Sequence, residues 1–142
     1  MMRVITGSAR GRKLETLSGD DVTRPTAESV KEALFSMIQF EIEEKRVLDL
    51  FAGSGQLGIE ALSRGAAHCT FVENNKRAEN IVKSNLVHCG FSAVSQVVIC
   101  DAAAYSLRKN SFDIAFLDPP YHKGLIEKCM PYLVHSMSDQ GI

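Results

Sequence analysis

Val47-Leu48-Asp49-Leu50-Phe51-Ala52-Gly53-Ser54-Gly55-Gln56-Leu57-Gly58-Ile59-Glu60-Ala61-Leu62 decides the fold. Four apolar residues around one acid make a short buried strand, residues 47–51. Glycines at 53, 55 and 58 then form a turn, and Ile59, Ala61 and Leu62 carry a helix on toward Gly65. Strand, glycine turn and helix in this order form the unit from which parallel sheets are wound. The spacing G-x-G-x-x-G lets the backbone pass close beneath a ligand, because glycine has no β-carbon in the way.

The same alternation continues downstream. Residues 69–73 read as a second strand, and 76–89 as a helix closed by Gly90. Residues 94–100 and 112–117 supply a third and fourth strand, and 124–137 a helix interrupted by Pro131. Asp139-Gln140-Gly141-Ile142 reads as a turn toward a further strand, so the C-terminal strands of the sheet are expected to be missing. Upstream, residues 3–14 alternate weakly around Gly7 and Gly11 and predict a small basic β-hairpin. Thr26 is expected to cap a helix over 27–39, with Val30, Ala33, Leu34, Met37 and Ile38 on one face and Glu28, Lys31 and Glu32 on a charged outer face. The expected architecture is α/β: a Rossmann-like, doubly wound, mostly parallel sheet. Residues 1–22 would be a basic extension and 23–142 the main domain.

Composition narrows the class. At 142 residues the chain suits one core, and 45% hydrophobic with 23% charged residues is ordinary for a globular protein. A net charge of −1 argues against a strongly cationic, non-specific nucleic-acid binder. No apolar run approaches the roughly 20 residues of a membrane span, and the start Met1-Met2-Arg3-Val4 has no signal-peptide core. The four cysteines lack C-x-x-C spacing and read as reduced thiols of a cytoplasmic protein. The four histidines show no metal-site spacing, so no metal is expected. A monomer is expected.

Acids mark the strand ends: Asp49, Glu73, Asp101 and Asp118. Glu73 suits a dinucleotide fingerprint, which makes a nicotinamide cofactor one reading of the loop. S-adenosylmethionine has an ammonium, a sulfonium, ribose and adenine but no phosphate, and four acids suit that cation better than a pyrophosphate. Asp101, alone, serves equally as a helix cap. Asp118-Pro119-Pro120-Tyr121 follows the fourth strand directly. Prolines cannot continue a central strand, so the tetrapeptide is stiff at the edge where α/β sheets bind ligands. A carboxylate, a carbonyl and an aromatic ring there suit a planar amine. The bland alternatives are a glycine turn without a ligand, an aromatic packed on the sheet edge, and a solvated charged hairpin.

Together these segments resemble the Rossmann-like S-adenosylmethionine-dependent methyltransferases of class I. More narrowly they resemble the bacterial 16S ribosomal RNA guanine-N2 methyltransferases that act at guanine 966. The resemblance runs through Met2 to Gly7, Gly11-Arg12-Lys13-Leu14, Thr23-Arg24-Pro25-Thr26, Leu48 to Gly55, Glu60 to Ala66, Phe71-Val72-Glu73 and Phe112 to Tyr121. It implies that Asp49, Gly53 and Gly55 line the methionine end of the cofactor. Glu73 would hold the ribose, Asp101 and Ala102 the adenine side, and Arg24 and Thr26 would cover the cofactor. Asp118, Pro119, Pro120 and Tyr121 would hold the target guanine. Arg3, Arg10, Arg12 and Lys13 would meet phosphates of ribosomal RNA, free or in an assembling small subunit. The alternatives are a non-catalytic RNA-binding or ribosome-assembly factor that keeps the fold, and an N6-adenine methyltransferase.

Overall fold

The computed structural model describes residues 3–15, 25–50, 52–100 and 112–116, and only the backbone of 25–28. The elements are α1 (Pro25–Met37), β1 (Arg46–Asp49), α2 (Gln56–Ser63), β2 (His68–Glu73), α3 (Lys76–Cys89), β3 (Ser95–Ile99) and β4 (Ile114–Phe116). A 3-10 turn, Ser92–Val94, joins α3 to β3. The strands lie in the order β3-β2-β1-β4 and each neighbouring pair is parallel. β1, β2 and β3 step outward in one direction, and the chain then returns to lay β4 on the other flank of β1. That reversal puts the switch point of the topology at the C-terminal ends of β1 and β4, the place where sheets of this kind bind ligands. The expected α/β class and parallel sheet are what the chain forms.

Burial follows from the topology. Val47, Leu48 and Asp49 of β1 and Cys69 through Val72 of β2 are all buried. Continuous burial is what a parallel strand covered on both faces requires. β3 lies at the edge and is half-exposed. At the end of the sheet away from the glycine loop, the register of β1 and β4 is fixed by one pair. Asp113 Oδ2 accepts from the Arg46 backbone N–H at 3.0 Å and from Nε at 3.2 Å, and Oδ1 accepts from Nη2 at 3.2 Å. The Asp113 N–H returns a bond to Arg46 O at 2.8 Å.

Three local expectations are corrected. Helix α1 starts at Pro25, so Thr26 lies inside the first turn and is not the cap. Proline suits the first helical position because its φ is already helical and the N–H it lacks would have had no partner there. The helix also ends at Met37, two residues earlier than expected. The basic segment keeps the antiparallel closure of a hairpin, with a single β-bridge among the described residues, Arg3 to Lys13, beside bonds between Val4 and Arg12 and between Gly11 and Val4. Other donors of the segment turn to α2. The N–H groups of Ile5 and Thr6 bond the Glu60 carboxylate at 2.8 and 3.0 Å. Those of Ser8 and Ala9 bond Ser63 O and Oγ at 2.8 and 3.0 Å. Helix α2 thus accepts four backbone donors of the arm. Gly7, at φ +97°, permits the approach: a β-carbon there would lie 1.9 Å from Ser63 O.

Lastly, Lys31 is not on an outer face. It is 1% exposed, donates from Nζ to Arg3 O at 2.9 Å and lies 3.6 Å from Glu60 Oε1. Arg64 completes the cluster, with Nε on Glu60 Oε2 at 2.9 Å and its guanidinium 4.8 Å from the centre of the Phe35 ring. Phe35 packs in turn on Phe116, the last residue of β4, with ring centres 5.5 Å apart. A buried carboxylate thus joins the basic arm, α1 and α2, next to the aromatic pair that supports the end of β4.

Candidate functional site

The glycine loop between β1 and α2 is held from two sides. Asp49, buried at the end of β1, accepts the N–H of Gly58 on Oδ2 at 3.1 Å. A carboxylate there satisfies a free donor of the first turn of α2 and complements the positive end of the helix. Asp49 thereby orients the loop. Glu73, at the end of β2, accepts the N–H of Gly53 on Oε1 at 2.9 Å. Its Oε2 accepts from Asn74 and Asn75, each at 3.2 Å. The expected ribose-binding acid therefore already lies at the loop.

Each glycine has its own reason. Gly53 (φ +59°) and Gly55 (φ +83°) are left-handed, a conformation disfavoured for residues with a β-carbon. A β-carbon on Gly53 would meet nothing within 4 Å, so the loop leaves open space at that point. Gly58 serves packing, since a β-carbon there would lie 2.4 Å from Phe71 Cε2. Gln56, the first residue of α2, has its Oε1 buried and without a hydrogen-bond partner among the described residues. An acceptor with no donor costs energy inside a protein.

Among the buried polar residues whose burial escaped the sequence reading are Lys31, Glu60 and Asn85. Asn85 of α3 accepts the Glu15 N–H on Oδ1 at 2.8 Å and donates from Nδ2 to Glu15 O at 3.0 Å and Ser54 O at 2.9 Å. It thus joins the exit of the basic arm to the glycine loop. Glu60 alone left a trace in the sequence, as the only charge in the eight residues of α2. On the arm, Arg3, Arg10, Arg12 and Lys13 are exposed while Val4, Ala9 and Leu14 point inward.

Residues 2–141 match the family model described as conserved hypothetical protein 95. The chain is 49% identical over 124 residues to the putative rRNA methyltransferase YlbH of Bacillus subtilis, covering 84% of this chain and 67% of that protein. It is 41% identical over 136 residues to ribosomal RNA small subunit methyltransferase D of Haemophilus influenzae, covering 93% of this chain and 70% of the relative. The chain belongs to this family. The structure of the putative methyltransferase yhhF from Escherichia coli, a likeness at 36% identity, superposes with a TM-score of 0.85 and covers 96% of this chain and 74% of that one. The resemblance drawn from the strand ends and the arm is therefore a family relationship.

Within this methyltransferase family the described residues bring together Asp49, Gly53, Gly55 and Glu73 around one loop. Arg24, Asp101, Ala102, Asp118, Pro119, Pro120 and Tyr121 lie outside the described residues, as does the side chain of Thr26. In sequence, Asp118 follows the last residue of β4 by two positions, and Phe116 O accepts the N–H of Leu50 at 3.1 Å beside the end of β1. No group of metal-ligating side chains occurs among the described residues, and none of their helices is long and apolar enough to cross a membrane.

Proposed function

We propose that this chain uses S-adenosylmethionine to methylate the exocyclic N2 amine of a guanine in small-subunit ribosomal RNA. One observation carries the reading: in a chain whose relatives are named ribosomal RNA methyltransferases, Glu73 lies at the open glycine loop with its carboxylate on the Gly53 N–H. The site fits the cofactor. Gly53 leaves room for it, Gln56 Oε1 is an acceptor without a donor among the described residues, and Glu73 is an acid suited to a diol.

S-adenosylmethionine, when bound, supplies a methyl group activated by sulfonium. The work of the chain is to hold and orient. Glu73 accepts the ribose hydroxyls while Gly53 and Gly55 let the amino-acid end lie against the backbone. Asp101 and Ala102 border the adenine, and Arg24 and Thr26 close over the cofactor. The guanine amine is a weak nucleophile because its lone pair is delocalised into the ring. Asp118 and the Pro119 carbonyl accept its two N–H groups, draw the nitrogen toward sp³ and aim the lone pair. Pro120 keeps the tetrapeptide stiff and Tyr121 stacks on the base, which must leave any helix to reach it. The nitrogen would gain the methyl group as the carbon–sulfur bond breaks and leaves a neutral thioether, and its proton would pass to water, so rate would come from orientation and electrostatics. Arg3, Arg10, Arg12 and Lys13 bind phosphates.

The test is transfer of radiolabelled methyl groups to small-subunit ribosomal RNA and to immature small subunits, with the methylated base identified by digestion and mass spectrometry. Label in N2-methylguanine with the intact chain, and none with Asp118→Ala, is the expected result. A calorimetric titration that detects no binding of S-adenosylmethionine would return the chain to the assembly-factor reading, and label in N6-methyladenine to the adenine one.

A further inference from the structure

Resting on that reading, we propose that Asn85 is a positioning residue that couples the RNA-binding arm to the cofactor loop, so that each ligand tightens the binding of the other. Its carboxamide is 2% exposed and bonds in three directions: Glu15 N–H to Oδ1, and Nδ2 to both Glu15 O and Ser54 O. Every partner is a backbone group. The carboxamide therefore fixes the path of two chain segments relative to each other, 70 residues apart from α3 on one side and 31 on the other.

The chain of contacts is short at both ends. Ser54 is the neighbour of Gly53, whose N–H is on the Glu73 carboxylate. Glu15 is two positions from Lys13, which pairs with Arg3 across the arm. A phosphate held by the arm and a ribose held by Glu73 thus act on segments that share one amide nitrogen. Glu60 and Ser63 also anchor the arm, but they do so through Ile5, Thr6, Ser8 and Ala9, short of the loop. Buried amide groups are costly to leave unpaired, so displacement of either segment disturbs the other. Linkage makes the effect reciprocal, and couplings of this kind are about 5-fold or more.

The experiment uses the full chain, S-adenosylhomocysteine as the cofactor probe and a small-subunit ribosomal RNA fragment. Cofactor affinity is measured with and without RNA for the wild type and for Asn85→Asp, which keeps the acceptor for Glu15 N–H and loses both donations. The wild type is expected to bind cofactor about 5-fold or more tightly with RNA present, and the variant to lose that ratio. Amide exchange gives a second readout that needs no variant: RNA should slow exchange at residues 53–58, and cofactor should slow it at Glu15. A folded Asn85→Asp that keeps the ratio, or a wild type that binds both ligands without reciprocal protection, overturns the coupling and leaves the methyltransferase reading intact. A wild type that binds no cofactor overturns both.

Discussion

Gly58 lies against Phe71 with no room for a β-carbon: one placed there would stand 2.4 Å from Cε2, 2.8 Å from Cζ and 2.6 Å from Cys69 Sγ. Phe71 is fully buried in the core and has nowhere to withdraw. Alanine normally gains about 1 kcal/mol over glycine inside a helix. Here crowding outweighs propensity, and Gly58→Ala is expected to destabilise by about 1–3 kcal/mol, read from the midpoint of urea unfolding. A variant as stable as wild type would show that α2 sits farther from β2 than described.

Glu60 predicts a separate result at the other face of α2. Glu60→Ala takes the carboxylate from buried Lys31, from Arg64 and from the N–H groups of Ile5 and Thr6. Loss of one member of a buried charged cluster costs about 3–5 kcal/mol, because the groups left behind stay desolvated. The arm should also come loose, so trypsin should cut after Arg10 or Arg12 far faster than in wild type. Unchanged cleavage would mean the arm is held by other contacts.

Two titrating groups contribute to the pH dependence of stability. Glu79 lies 3.0 Å from Lys83 and 3.1 Å from Lys76, and the hydrogen bond from Lys83, followed by that from Lys76, holds its carboxyl below the usual 4.5. A lowered folded value contributes stability above 4.5 that is lost as pH falls through the folded value, and Glu79→Gln should flatten that acid limb. On the alkaline side, burial pushes the Cys69 thiol well above its usual 9.0, with the negative Asp49 adding to it. Its contribution is complete below about pH 9 and declines above it, as the unfolded thiol ionises and the folded one stays protonated. Thermal melts across pH 3 to 10 check both limbs, within a window of roughly that width.

Glu44 is the described non-glycine residue at positive φ, +62°, where it donates its N–H to Gly65 O at 2.8 Å. The left-handed region costs a residue with a β-carbon about 1–2 kcal/mol. Glu44→Gly removes that strain, gives back about 0.5–1 kcal/mol in chain entropy, and should leave the protein up to ~1 kcal/mol more stable. A lower melting temperature would show that the Glu44 side chain makes a compensating contact.

The strands and α3 were legible because their signals are local: alternation of apolar runs, glycine turns, and Gly90 at φ +79° where a helix must stop. The loop was legible for the same reason, down to its acid at Glu73. What the sequence hid was long-range polar pairing. Glu60 meets Ile5 across 55 residues and Asn85 meets Glu15 across 70, and helical periodicity does not encode such partners. Lys31 looked like part of a solvated face because its charge partner belongs to another helix. The seat of the arm is hidden for the same cause, since four of its backbone donors go to α2.

The donors that α2 takes from the arm also order the birth of the molecule. The basic segment is synthesised before α2 and α3, so Ile5 and Thr6 cannot seat until Glu60 exists, and Glu15 not until Asn85 does. At about 5–20 residues per second, roughly 4–14 s separate the making of Glu15 from that of its partner. Until those partners are made the cationic segment has no seat, and the last residue to secure it, Asn85, is also the one that holds Ser54 O in the glycine loop.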